Sequence, residues 1–240
     1  MRIFAWFIIG LCFSGATLAQ ETTDAVAPET ATALGAEALN EAVAASQAAK
    51  AAGKPVVAQK WMLSVANPHA AEAGAQVLSK GGTAADAMVA VQAVLGLVEP
   101  QSSGLGGGAF LVWYDAETGR LSSLDGRETA PLAARPTLFL NAEGEPLKFF
   151  DAVVGGRSVG TPGTPKLMEV LHSRYAKLPF GRLLHPTIET AVEGFQVSPR
   201  LAGLIEADKE RLARSEATAA YFLPGGVPLK AGDVLQNKDY

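Results

Sequence analysis

The run from Glu99 to Pro131, EPQSSGLGGGAFLVWYDAETGRLSSLDGRETAP, puts a glycine loop, an apolar strand and Arg127 within one short stretch. Apart from that arginine it holds no obvious catalytic group. Clustered glycines mark a place where another backbone or a ligand comes closer to the main chain than a Cβ allows. Arg127, set between Gly126 and Thr129-Ala130-Pro131, reads as a buried arginine on a turn leaving a strand. There it offers a planar fork of donors to a carboxylate, or forms a structural ion pair. Asp125 and Glu128 flank it and are read as holding its side chain or capping the turn. Proton transfer is the weaker reading for both, because acid–base catalysis needs a group at the scissile bond.

Other chemistry is weighed and set aside. Gly104 to Ala109 matches the G-x-G-x-x-A form of a dinucleotide loop, but a helix is expected before it and a strand after it, the reverse of what that motif requires. No Lys-Ser or Lys-Thr closes the run as a phosphate-binding loop, so close packing is favoured over ligand contact for these glycines. Ser102-Ser103 lacks the G-x-S-x-G elbow and reads as a turn. His69, His172 and His185 are scattered without metal spacing and are assigned to capping or the surface. No metal site and no cofactor is implied.

These residues need a scaffold, and 240 residues at 48% hydrophobic can bury a sizeable core. A net charge of −4, without a dense basic run, argues against a nucleic-acid partner. Met1-Arg2, the apolar Ile3 to Phe13 and the small-residue site at Thr17-Leu18-Ala19 read as a signal peptide over residues 1–19, implying a periplasmic or secreted protein. Cys12, the only cysteine, lies inside it, so the mature chain has no disulfide and no thiol nucleophile. Residues 20–57 form an alanine-rich linker, transiently helical over Ala36 to Ala52 but without a docking face.

Order begins near Val56-Val57-Ala58, read as a short strand, and Met62 to Ala66, read as a buried one. Asn67 caps a helix with Pro68 at its first position, ending at Gly81-Gly82, and Thr83 caps a second that stops at Glu99-Pro100. Ala109 to Tyr114 and Leu121 to Leu124 make a hairpin. Val153 to Pro165 reads as a punctuated strand and loop leading into a helix through Leu167 and Tyr175. Pro186 opens another helix, ended by Gly194; two more follow at Leu201 to Ile205 and Ala207 to Ala213. Tyr221 to Gly226 is a turn, and Asp233 to Tyr240 the lead-in to a further helix, as if the protein continued past Tyr240.

Three ordered blocks carry a family likeness: ANPHAAEAGAQVLSKGGTAADAMVAVQAVLGLVEPQSSGLGGGAF, then DGRETAP, then SVGTPGTPKLMEVLHSRYAKLPFGRLLHPTIETAVEGFQVS. Together they resemble the N-terminal part of a γ-glutamyltransferase large subunit over Ala58 to Tyr240. The resemblance implies an α/β fold, the four-layer αββα sandwich of the N-terminal-nucleophile hydrolases, with only its N-terminal part in residues 58–240. It also implies a precursor that cleaves itself before a threonine. That threonine, its α-amine acting as base, attacks the γ-glutamyl amide of glutathione and related compounds; water or an amine then resolves the γ-glutamyl-enzyme. By the same resemblance Arg127 binds the substrate α-carboxylate. The partner is the small subunit of the same precursor, which carries the threonine; no residue of this chain is assigned a catalytic role, and the chain alone is expected to be inactive. Thr161 stands where the family more often has an apolar residue. A cephalosporin acylase of the same architecture and a non-catalytic carboxylate-binding domain are the alternatives.

Overall fold

The structure is a computed structural model and describes residues 41–240. The expected signal peptide at residues 1–19, with Cys12, and residues 20–40 of the expected linker lie outside the described residues.

Helix α1, Glu41–Ala51, is followed by α2, Pro68–Ser79, against which it lies. The alanine-rich segment thus docks after all, through Val43, which is buried. Asn67 Oδ1 accepts the N–H of His69 at 3.0 Å and Pro68 occupies the first turn, so α2 starts as the sequence requires. Helix α3, Ala84–Val98, begins with a reciprocal capping box between Thr83 and Asp86. Its valines, Leu97 and the alanines beyond Ala84 are buried on almost every side, so α3 is the axis of the core.

Strands β1, Ala109–Asp115, and β2, Arg120–Gly126, pair antiparallel with Ala109 opposite Gly126. Helix α4, Phe149–Val153, and a 3-10 turn at Gly156–Ser158 precede α5, Thr164–Tyr175. Leu111 packs with Leu167 and Leu171 of α5, and Trp113 stacks on Tyr175 with ring centroids 4.4 Å apart. Then come α6, Phe180–Leu183, α7, His185–Glu193, and β3, Phe195–Gln196. Helices α2, α5, α6 and α7 all pack on α3. Helix α8, Pro199–Leu212, α9, Glu216–Phe222, and β4, Val234–Leu235, complete the order, β4 pairing antiparallel with β3. The mixture of helices and strands is the α/β class expected.

Several expectations are corrected. Val56 to Ala58 and Met62 to Ala66 are not strands: Trp61, Leu63 and Val65 are half-buried in alternation with exposed neighbours, but no strand lies beside them among the described residues to form a ladder. The expected strand at Val153 to Pro165 is instead the end of α4, the 3-10 turn and a single bridge, Thr129 to Thr161. The two helices expected over 201–213 are one, α8. Leu201 and Ile205 make a continuous buried stripe, and Glu206–Lys209 and Asp208–Arg211 pairs run along its polar side. Tyr221 and Phe222 end α9 rather than opening a turn. Within residues 233–240, Val234–Leu235 is strand: Gly194, at φ +93°, turns the chain after α7 so that Phe195 pairs with Leu235.

The Thr129–Thr161 bridge closes the base of a long excursion whose Leu132, Phe149 and Val159 are exposed. Its far side is tied to α8 by Arg211, stacked 4.0 Å over the Phe150 ring, and to the turn just beyond α8 by Arg214 on Asp151 at 3.2 Å.

Candidate carboxylate-binding site

Arg127 is the first residue beyond β2. Asp125 Oδ1 accepts its backbone N–H at 2.9 Å, which turns the chain off the hairpin, and Glu128 Oε2 lies 3.2 Å from its Nε. Both neighbours therefore do what the sequence suggested. The arginine itself is not buried: its side chain is 71% exposed, because the turn carries it away from α5 while the hairpin packs inward through Leu111 and Leu124. Among the described residues Glu128 is its only side-chain partner. The two terminal amino groups are left for an acceptor from outside.

They border a cavity of about 440 Å³ walled by Gly106, Glu128, Thr129, Ala130, Ser158 and Gly160. The Ser158 hydroxyl donates to the Val153 carbonyl at 2.6 Å, holding the 3-10 turn against the end of α4. Thr161 N–H donates to the Thr129 carbonyl at 2.8 Å, bringing the two loops together. The departure noted at Thr161 thus lies at the closure of the site, with an exposed side chain.

The glycines divide into two kinds. A Cβ on Gly108 would stand 2.6 Å from Glu128 Oε2 and 2.7 Å from the Gly126 carbonyl, and one on Gly163 would fall inside the Gly126 carbonyl. Gly108 permits backbone packing, as expected for its run, and Gly163 does the same. Gly106 meets nothing within 4 Å, so sterics do not require a glycine there. The Gly107 carbonyl accepts N–H groups of Gly163 and Thr164 at 3.0 and 3.1 Å, which pins the loop on the first turn of α5.

The remaining candidates stay apart from this cavity. The N–H groups of Ser102 and Ser103 both donate to the Glu99 carbonyl at 2.9 Å, the turn expected. His172 Nε2 bonds the Leu178 carbonyl at 2.8 Å, and His185 is exposed. His69 departs from its surface assignment. Its Nε2 is buried without a partner, its ring stands edge-on to Phe195, and burial pulls its pKa down to about 4. Among the described residues no group of three His, Cys, Asp or Glu side chains is placed to hold a metal. A larger groove of about 860 Å³ runs between α1, residues 53–65 and α2. Among the described residues its lining holds no arginine, and its lysines, Lys50, Lys54 and Lys60, are exposed.

Gly106 was read from sequence only as one of a run favoured for close packing, and Thr129, Ser158 and Gly160 were given no role in a site. The bridge that gathers them pairs residues 129 and 161, and the VVGGRSVGTPG stretch has glycine spacing compatible with strand or turn.

The family model described as Gamma-glutamyltranspeptidase matches residues 70–240. The chain is 42% identical over 183 residues to the glutathione hydrolase proenzyme of Bacillus subtilis strain 168, covering 76% of this chain and 31% of that protein. It is 36% identical over 192 residues to the acylase ACY 1 proenzyme of Pseudomonas sp. strain V22, covering 78% of this chain and 34% of that one. Its fold superposes on the crystal structure of Helicobacter pylori gamma-glutamyltranspeptidase with a TM-score of 0.73 at 32% identity, covering 77% of this chain and 53% of the other. The chain thus spans about a third of the length of the curated relatives it matches.

Proposed function

The chain belongs to the gamma-glutamyltranspeptidase family, and from that premise we propose that it is the N-terminal part of an enzyme that cleaves the γ-glutamyl amide of glutathione and related compounds. In this reading it supplies the anchor for the free α-carboxylate of the glutamyl donor. The observation that carries it is Arg127: a largely exposed guanidinium, partnered among the described residues only along its Nε edge, at the rim of a cavity walled partly by bare glycine backbone. A planar fork matches a carboxylate with two parallel N–H···O bonds, which fixes orientation as well as charge. Glu128, engaged at Nε, holds the fork and offsets its charge when the site is empty.

The reaction itself is assigned to the part of the protein beyond this chain. There a threonine freed by self-cleavage of the precursor attacks the γ-carbonyl, its own α-amine taking the hydroxyl proton. The amine portion leaves, and water or an acceptor amine releases the γ-glutamyl group. The partner is the small subunit of the same precursor. Residues 1–19, read as a signal peptide, direct the product to the periplasm or outside the cell.

The acylase likeness favours a second reading, in which the same arginine holds the carboxylate of an acyl side chain. One experiment separates them. The protein at full gene length is assayed with a γ-glutamyl anilide and with an acylated cephalosporin. Release of glutamate from the anilide, with Arg127→Ala raising KM about tenfold or more and kcat changing little, is expected. Turnover of the cephalosporin alone supports the acylase. An unchanged KM in Arg127→Ala removes the carboxylate assignment, and turnover of neither substrate leaves a non-catalytic carboxylate-binding chain.

A further inference from the structure

Glu99 is a carboxylate buried at 2% exposure, at the C-terminal end of α3, and the proposed reaction does not use it. Its oxygens collect three donors from three parts of the chain. Asn67 Nδ2, from the residue that caps α2, reaches Oε1 at 2.8 Å. Gln101 Nε2 and Arg200 Nη1 both reach Oε2 at 2.6 Å. A buried carboxylate this well satisfied is rigid, and removing one donor leaves charge unmatched. The guanidinium also spans outward: Arg200 Nη2 donates to Ser102 Oγ at 3.2 Å. Alongside, Gln92 Nε2 donates to Ser103 Oγ at 2.7 Å.

The glycine loop is therefore clamped twice. At Ser102 and Ser103 it is held by Arg200, Gln92 and the Glu99 carbonyl, and at Gly107 by the first turn of α5. Between the clamps Leu105 and Gly106 are exposed, and Gly106 forms part of the cavity wall beside Arg127. A loop of glycines has no side-chain packing of its own to fix it, so the position of that wall is set by its two ends.

We propose that Arg200 is a positioning residue for the carboxylate site, acting through Ser102 on the glycine loop and holding the wall at Gly106 in register with Arg127. It touches no substrate and has no catalytic role. The proposal rests on the carboxylate reading of the cavity.

Two variants test it in the protein at full gene length. Ser102→Ala removes the outer end of the link and leaves the Glu99–Arg200 pair intact, so it is the variant least prone to misfold. Arg200→Lys keeps a charge on Glu99 and loses the fork. Hydrogen–deuterium exchange, which needs no turnover, is expected to rise about tenfold at Gly104 to Gly108 in both, with Ala109 to Asp115 and α3 unchanged. With a γ-glutamyl anilide, KM is expected to rise about fivefold at constant kcat. Loop exchange at the wild-type rate in both variants overturns the proposal. So does exchange that rises equally through α2, α3 and α8, since that marks a merely structural role. If the wild type releases no glutamate, the functional reading fails, and the exchange result still decides whether Arg200 sets the loop.

Discussion

The carboxylate of Asp86, in the first turn of α3, accepts the N–H of Leu178 at 3.0 Å from 92 positions further along the chain. It also accepts N–H groups of Thr83 at 2.7 Å and Lys177 at 3.1 Å, so one side chain serves as a helix cap and as the anchor for the turn after α5. Burial alone would raise its pKa, but the backbone hydrogen bonds from Thr83, Leu178 and Lys177 outweigh that and hold it below the ordinary value of 3.8. Asp86→Asn keeps the shape but turns an NH2 toward donors. A loss of about 2–4 kcal/mol is expected, read as a lower apparent melting temperature. An unchanged melting temperature would contradict the role given to this carboxylate.

Acid should weaken the fold in two separable stages. His69 is lowered from 6.5 to about 4, so the unfolded chain takes up its proton first as pH falls. Its contribution is intact above 6.5, declines as pH drops toward 4, and is fully lost below that, amounting to about 3 kcal/mol at most. Asp86 acts below this window: its stabilisation is present above 3.8 and disappears as pH falls further. His69→Phe should flatten the stability profile between pH 6.5 and 4 and leave the steeper acid limb in place. A profile that keeps its slope there would place the titration on another group.

The two kinds of glycine predict opposite outcomes. Gly108→Ala drives a Cβ into the Gly126 carbonyl and the N–H of Glu128, and should lower the apparent melting temperature by several degrees. Gly106→Ala meets open space and should leave stability within about 0.5 kcal/mol while raising KM, since its methyl enters the cavity beside Arg127. Equal effects on melting from both would refute the division.

Arg127→Lys separates charge from geometry. A lysine supplies a point charge without the fork, so KM should rise about three- to fivefold, less than for Arg127→Ala, with kcat within about twofold. A lysine variant indistinguishable from wild type would mean that the site needs only a positive charge.

Much of this was legible because it is local. Asn67-Pro68, the Thr83 cap and the hairpin around Gly119 follow from neighbouring residues, and each stands where the sequence puts it. Arg127 too was visible, from its place between two acids on a turn. Its exposure was not, since that depends on which face of β1 and β2 meets α5. Pairings across great separations were equally hidden. Glu99 and Arg200 meet over 101 positions, and Phe195 finds Leu235 as a strand partner only because Gly194 reverses the chain. The alternating pattern of Trp61 to Val65 is strand-like in sequence and in burial, yet a strand is defined by its neighbour.

The excursion that leaves the site at Thr129 and returns at Thr161 is fixed at its root by one backbone bridge and at its far side by one salt bridge and an arginine–ring contact at the C-terminal end of α8. Residues inserted or lost along it leave Arg127, Gly106 and the bridge undisturbed, because closing a longer loop costs little. It is the part of the chain that descent can rewrite while Arg127, which the proposed function makes the carboxylate anchor, is inherited intact.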